Sequence, residues 1–136
     1  MKVNELNFPI ILMKSDVSYI GVCLRRSRFG LISKGNEKYY SSGVVYDSQG
    51  GSYELKGIER IKSAPLQLSL LHLQKMLIAE PNFKYNSDLE LDEIKELVKA
   101  HIMKNRNYWK KFRSVEEFLS SVDSSMNLVE LYSILR

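Results

Sequence analysis

Three side chains in this sequence have the chemistry for nucleophilic or acid–base catalysis: Cys23, His72 and His101. A nucleophile needs a base beside it, and that base needs a third group to orient it. Both histidines lie far from Cys23 along the chain, and the sequence has no Gly-rich phosphate loop or nucleophile elbow. We therefore predict no catalytic centre. The apolar run around Cys23 indicates a buried thiol, and the apolar stripe that carries His101 indicates a hydrogen-bonded core histidine.

Metal ligands are equally sparse. Neither histidine has a second His or Cys three or four residues away, which is the spacing of a local zinc site. The turn residues 47–51 begin with Asp47 but lack the alternating oxygen ligands and the closing glutamate of a calcium loop. Asp92 and Glu96 are one helical turn apart, a pattern typical of the solvated acidic start of a helix. The sequence predicts no metal and no cofactor.

The most unusual segment is residues 99–113, which hold six basic residues and no acidic one. Aromatic residues lie among these cations, and the same combination neutralises phosphates and stacks on bases in nucleic-acid-binding proteins. It is also the composition of protein-binding hot spots. The alternative is structural: late cations stabilise the end of a helix, while Trp109 and Phe112 turn inward. The candidate binding residues of this segment are Lys104, Arg106, Tyr108, Trp109, Lys110, Lys111 and Arg113.

A second candidate surface is a predicted β-hairpin over residues 39–61. Tyrosines on strands usually cover a sheet face, but several on one hairpin can form a recognition surface with wet hydroxyls. Basic residues precede this hairpin. The candidate residues here are Tyr39, Tyr40, Arg25, Arg26 and Arg28.

The first half of the chain, residues 1–62, has the pattern of strands. Short apolar segments over residues 8–13, 19–24 and 29–33 predict strands, although a helix from Ser15 or Asp16 is an alternative for the second. The hairpin turns at residues 47–51, and Gly57 indicates a bulge in its return strand.

The second half, residues 63–136, has the pattern of helices. Pro65 and the leucines that follow predict a central core helix over residues 65–79, with a strand at Leu66–Leu70 as the competing interpretation. Phe83–Tyr85 is predicted as a short strand. Further helices are predicted at residues 91–104, from the capping box at Ser114, and over residues 128–135.

These elements predict an α+β fold in which a small antiparallel sheet is followed by about four helices that pack on it. The 136 residues suit one domain over residues 1–136. The net charge of +4 comes from the first half, where ten basic residues face six acidic ones, while the second half has ten of each. One cysteine, no long apolar segment and no signal peptide indicate a cytoplasmic protein that is not in a membrane.

Three blocks carry a resemblance to a protein family. They are Tyr40–Gly50, where a hydrophobic strand runs into Asp-Ser-x-Gly, then Leu91–Lys95 and Ser114–Phe118. Over residues 29–136 their order resembles that of small bacterial immunity-type proteins of toxin systems, or of uncharacterised relatives. The resemblance implies a cytosolic, non-enzymatic protein that binds and blocks one partner. Inhibitors of nucleases tend to be acidic, so a charge of +4 would instead suit an acidic or membrane-active toxin.

We therefore expect a small, non-enzymatic protein that binds a protein partner. The alternative is a nucleic-acid-binding protein that uses residues 99–113.

Overall fold

The computed structural model describes residues 6–25, 29, 31–33, 42–64, 66–71 and 76–135. It has the predicted α+β architecture: an antiparallel sheet followed by helices that pack on one of its faces. The strands are β1 (Ile10–Met13), β2 (Ile20–Cys23), β3 (Leu31–Ser33), β4 (Val44–Tyr46), β5 (Gly51–Ser63) and β6 (Met76–Asp88). The helices are α1 (Leu66–Leu71), α2 (Leu91–Lys104), α3 (Arg106–Trp109), α4 (Val115–Ser124) and α5 (Leu128–Ile134).

The described strands form one six-stranded sheet in the order β2-β1-β4-β5-β6-β3. Every described pairing is antiparallel, with Leu12 opposite both Gly21 of β2 and Val45 of β4. The strands predicted over residues 8–13, 19–24 and 29–33 are confirmed, so residues 20–23 are not helical. The hairpin is confirmed as β4–β5. The pairing of its return strand β5 with β6 shifts register between Leu55 and Ile58, as expected for a bulge at Gly57.

Alternation along the strands gives the sheet two apolar faces, because successive side chains point to opposite sides. Ile11, Met13 and Tyr46 pack with the helices in the larger core. Ile10, Leu12 and Val45 belong to a second cluster, which is completed by Leu6, Phe29, Tyr53, Leu55 and Phe83. The helices therefore cover one face, and residues near the N-terminus contribute to the cover of the other.

Helices α2, α4 and α5 begin and pack as their sequences indicate. Ile94, Val98 and Ile102 of α2 are fully buried in the larger core. Ser114 caps α4 by accepting a hydrogen bond from the Glu117 amide at 3.1 Å. On the outside, Lys99 of α2 bridges to Asp123 at the end of α4 at 3.0 Å, and Glu96 pairs with the same lysine at 2.8 Å.

The predicted core helix over residues 65–79 is wrong. Its described helical part is only the six residues of α1, in which Leu66 is 71%, Leu70 64% and Leu71 69% exposed. Residues 76–88 form β6, which runs antiparallel to β5 and includes the predicted strand Phe83–Tyr85. Between residue 62 and Asp88 the described chain therefore holds the short helix α1 and the long strand β6, and the helices that pack on the sheet come after Asp88.

The β4–β5 turn is organised by a buried carboxylate, that of Asp47. Oδ1 accepts hydrogen bonds from the amides of Gln49 and Gly51, each at 3.0 Å. Oδ2 accepts from the backbone and side-chain nitrogens of Asn7 at 3.2 and 3.1 Å. The backbone oxygen of Asp47 accepts from the hydroxyl of Tyr132 at 3.3 Å, which fixes α5 against the turn. Since N–H groups surround the carboxylate, its role in the turn is structural.

Candidate partner-binding site

The centre of the site is His101, which is buried in the last turn of α2. The indole nitrogen Nε1 of Trp109 lies 3.0 Å from Nε2 of His101, and the backbone oxygen of Val17 lies 2.7 Å from Nδ1. An indole N–H can only donate, so Nε2 must be the acceptor. The single ring proton is then on Nδ1, which donates to Val17. The prediction of a hydrogen-bonded core histidine is confirmed.

These contacts favour the neutral form of His101. Burial lowers its pKa, and the hydrogen bond to the Val17 carbonyl opposes this effect in part. A proton added at Nε2 would point at the indole N–H of Trp109, placing two donors against each other. Both ring nitrogens are thus engaged within the protein, and neither is open to a substrate.

The end of α2 holds the turn between β1 and β2 in place. Val17 in that turn has a φ of 56°, a left-handed conformation that is uncommon for a β-branched residue. Besides the bond from His101, Lys104 Nζ donates to the backbone oxygen of Asp16 at 2.8 Å. Asn105, which follows α2, donates to its own helix at the His101 oxygen at 2.9 Å. These contacts stabilise a turn conformation that Val17 would otherwise disfavour.

The aromatic residues of segment 99–113 separate into one buried ring and two exposed rings. Trp109 is only 5% exposed, whereas Tyr108 is 54% and Phe112 is 65% exposed. Tyr108 contacts Trp109 edge to face with ring centroids 5.3 Å apart, and contacts Phe112 at 5.5 Å. The inward orientation proposed for Trp109 is therefore confirmed, and the one proposed for Phe112 is wrong. Residues 106–109, in the connection between α2 and α4, form the short helix α3.

The cations of this segment differ in what they contact. Arg106 pairs with Glu116 at 3.5 Å, and the Arg113 guanidinium lies 4.7 Å from the ring centroid of Phe118. Lys110 and Lys111 are exposed, and neither has an ion-pair partner among the residues that the structure describes. These two lysines are therefore the cations most open to a partner's carboxylates.

Two cavities adjoin α3. The first, which we call the His101 pocket, has a volume of about 290 Å³ and is lined by Ser18, Tyr19, Ile20, His101, Asn105, Tyr108, Trp109 and Leu135. The second, the Phe112 groove, has a volume of about 240 Å³ and is lined by Tyr108, Trp109, Phe112, Arg113, Phe118, Ile134 and Leu135. Because three residues line both, the two cavities are neighbours.

The structure brings the candidate residues from 104 to 113 together around α3. Arg25, the described member of the upstream basic group, is exposed just after β2. Arg26, Arg28, Tyr39 and Tyr40 lie outside the described residues, as does His72. Cys23 is half-buried rather than buried; its thiol donates to the Arg25 oxygen at 3.2 Å, and burial raises the pKa of the thiol.

Sequence reasoning missed the part of the site that comes from other elements. Ser18 and Tyr19 reach the His101 pocket from the β1–β2 turn, Ile20 reaches it from the start of β2, and Leu135 reaches it from the end of α5. No local pattern marks these residues, since they are more than eighty residues from His101 or lie on a separate helix. Asn105 could have been found, because asparagine is common just past the end of a helix.

Within the described part of the chain, no group of three or more His, Cys, Asp or Glu residues is arranged to hold a metal ion. None of the described helices is both long enough and apolar enough to span a bilayer. Searches of protein-family models, curated proteins and solved structures give no match to this chain.

Proposed function

We propose that this chain is a non-enzymatic binding protein that recognises a protein partner through the surface around α3. The observation that carries the proposal is the exposure of Phe112 and Tyr108 beside Lys110 and Lys111, two exposed lysines with no ion-pair partner in the described part of the chain. We call these four residues the α3 surface. Large exposed aromatic rings next to cations are the composition of protein-binding hot spots.

The chemistry of the α3 surface indicates the kind of partner. The Phe112 groove has apolar walls from Phe118, Ile134 and Leu135, and so it suits an apolar side chain. Lys110 and Lys111 suit carboxylates on a partner. Attraction between these charges mainly raises the association rate and orients the partner. The partner is therefore a protein that presents an apolar residue within an acidic surface.

A polyanion is the competing partner, and the arrangement of the rings favours protein over nucleic acid. The burial of Trp109 removes the largest ring on which a base would stack. Tyr108 contacts both Trp109 and Phe112 edge to face, so the rings form one apolar patch.

The identity of the partner as a bacterial toxin is part of this proposal, and its support is the sequence resemblance to immunity-type proteins. A basic immunity protein would bind a toxin with an acidic surface. Such a pairing agrees with the exposure of Lys110 and Lys111.

Affinity capture from nuclease-treated native lysate tests the proposed function. The wild-type chain is expected to retain a protein at fixed stoichiometry, which both Phe112→Ala and the pair Lys110→Glu with Lys111→Glu release. A charge-matched control is Lys56→Glu with Lys84→Glu, two exposed lysines on β5 and β6, which should capture as wild type does. Retention by all variants, or loss only with Leu66→Ser and Leu70→Ser in α1, would contradict the proposal.

Fluorescence anisotropy with labelled single- and double-stranded oligonucleotides tests the competing partner. We expect no specific binding. A complex that weakens steeply between about 50 and 200 mM salt, and that Lys110→Ala with Lys111→Ala weakens further, would replace the protein-binding proposal with nucleic-acid binding.

A further inference from the structure

We infer that the partner anchors itself by inserting one neutral aromatic side chain, with tyrosine as the best fit, into the His101 pocket. This inference rests on the proposed function and adds the chemistry of the contact. It concerns a different cavity from the α3 surface, so the two ideas are tested with different variants.

The size of the His101 pocket fits one aromatic side chain. Its volume is about 290 Å³, whereas a buried apolar cavity of about 150 Å³ is enough to hold benzene. A phenol ring therefore enters with room for the adjoining main chain. The pocket is open to solvent on the side of exposed Tyr108 and Ser18, so a side chain on a partner's surface has a path into it.

The walls of the pocket favour an aromatic ring over an aliphatic chain. Tyr19, Tyr108 and Trp109 supply three rings, and aromatic pairs at centroid separations of about 4.5–7 Å gain energy beyond their buried area. Trp109 is already held by edge-to-face contacts with His101 at 5.6 Å and with Phe118 at 5.0 Å. A wall that is fixed before binding loses little conformational entropy when a ligand arrives.

The polar groups of the pocket favour a neutral ligand. None of the described residues that line it is charged at neutral pH, since burial lowers the pKa of His101 and keeps that ring neutral. Both ring nitrogens of His101 are used inside the protein, the Asn105 side-chain nitrogen donates to the His101 backbone oxygen, and the Ser18 hydroxyl donates to Asp16. The side-chain oxygens of Asn105 and Ser18 therefore remain as acceptors for a ligand. A phenolic hydroxyl can donate to such an oxygen, whereas a carboxylate has no proton to donate and an ammonium loses more hydration on entering the pocket.

The position of the pocket joins it to the α3 surface. Tyr108, Trp109 and Leu135 line both the pocket and the Phe112 groove. A ring in the pocket and a group in the groove would therefore both contact Tyr108. The partner's aromatic anchor would therefore lie close to the partner's carboxylates that Lys110 and Lys111 attract.

The probe for this inference is 4-fluorophenol, followed by fluorine NMR and by the fluorescence of Trp109, which is the one tryptophan in the chain. We expect saturable binding that perturbs the emission of Trp109. Tyr108→Ala removes a wall and Ser18→Phe fills the mouth of the pocket, and each should weaken binding at least about tenfold, as losing a hot-spot contact does. Tyr85→Ala, at an exposed tyrosine of β6 that lines neither cavity, is the matched control and is expected to bind the probe as wild type does.

Circular dichroism of each variant shows whether it is folded, and fluorobenzene is a second probe for the same pocket. Fluorobenzene should bind more weakly than 4-fluorophenol, because it lacks the hydroxyl. No binding of 4-fluorophenol by folded wild-type protein, or equal binding by folded Ser18→Phe, would overturn the inference.

Competition separates this inference from the proposed function. Saturating 4-fluorophenol should release the captured protein partner, and Ser18→Phe should fail to capture it. If capture depends on Lys110 and Lys111 but 4-fluorophenol neither binds nor competes, the proposed function stands and this inference fails. If 4-fluorophenol binds without competing, the pocket serves a free aromatic molecule, and the inference about the partner fails as well. If the probe binds while no partner is captured, the proposed function itself fails.

Discussion

The indole N–H of Trp109 donates to Nε2 of His101 across 3.0 Å, and this bond fixes the histidine as the neutral tautomer protonated at Nδ1. The same ring then donates to the Val17 carbonyl at 2.7 Å. One imidazole thus connects the end of α2, the helix α3 and the β1–β2 turn, which together form the His101 pocket. The state of His101 and the shape of the proposed binding site are therefore coupled.

The stability of the protein should decrease in mild acid because of His101. Its pKa is lowered in the folded state by burial, so the unfolded chain binds the proton more tightly. The contribution of neutral His101 is complete above the ordinary histidine value of about 6.5 and is lost as the pH falls through the lowered folded value. Urea unfolding midpoints measured at a series of pH values should show this decrease.

His101→Gln is the control for that pH dependence. Glutamine can accept a hydrogen bond but does not titrate in this range, so this part of the slope should disappear even if the variant is less stable overall. An identical slope in wild type and in His101→Gln would mean that other groups cause the acid sensitivity.

Trp109→Phe should lower the free energy of unfolding by about 2–4 kcal/mol. The change leaves Nε2 of buried His101 without its donor and removes part of a packed ring. Chemical denaturation followed by circular dichroism measures the loss. Tyr108→Phe removes only an exposed hydroxyl and should change the stability by less than about 0.5 kcal/mol; equal effects of the two changes would contradict the assigned bond.

The exposed leucines of α1 should contribute little to stability. Replacing Leu66, Leu70 or Leu71 singly by serine should change the free energy of unfolding by no more than about 0.5 kcal/mol, as is usual for surface positions. Ile102→Ala, at a fully buried position of α2, should instead cost about 2–5 kcal/mol. A leucine variant that lowers the free energy of unfolding as much as Ile102→Ala does would show that the leucine is buried, and would support the core helix predicted from the sequence.

Asp47→Ala should destabilise the protein by about 2–4 kcal/mol, because buried N–H donors of the β4–β5 turn lose their acceptor. Asp123→Ala, which removes the solvent-facing pair with Lys99, should cost less than about 1 kcal/mol. In addition, millimolar calcium should leave the melting temperature of the wild type unchanged, since the Asp47 oxygens already accept four hydrogen bonds. A calcium-dependent rise that Asp47→Ala abolishes would show a metal site at this turn.

Local patterns were sufficient for most of the fold. The stripe of Ile94, Val98 and Ile102 and the cap at Ser114 are short-range signals, and they correctly predicted α2 and the start of α4. Alternation and turn chemistry likewise predicted the hairpin around Asp47, because a strand's exposed and buried faces repeat every two residues.

The failure over residues 65–79 has a physical cause. Leucine spacing favoured a helix, but pairing with β5 places Ala79 opposite Ile61 and Ile58 opposite Pro81, and this long-range contact outweighs local propensity. Pro81, just after the predicted helix, lies instead within β6. It is opposite Ile58 at a register shift of the β5–β6 pairing, beyond residues Met76–Ile78 that pair with β3, so its missing N–H is tolerated there. The buried alternation of Leu77, Ala79, Pro81 and Phe83 was the signal for a strand.

The candidate site was predictable only where it is continuous in sequence. Composition identified residues 104–113, but it could not tell that Trp109 points inward while Phe112 points outward. That difference depends on His101 as a hydrogen-bond partner for the indole. The residues of the β1–β2 turn enter the site through tertiary contacts that have no short-range signature.

The bond from Tyr132 to the Asp47 carbonyl has a consequence for biosynthesis. The two residues are separated by 85 positions, so the β4–β5 hairpin leaves the ribosome long before its last partner does. Until α4 and α5 emerge, the sheet face that carries Ile11, Met13 and Tyr46 lacks most of its apolar cover. The nascent chain therefore passes through a stage with exposed apolar surface, the kind of species that aggregates or recruits chaperones, and it completes its core only when residue 132 has been released.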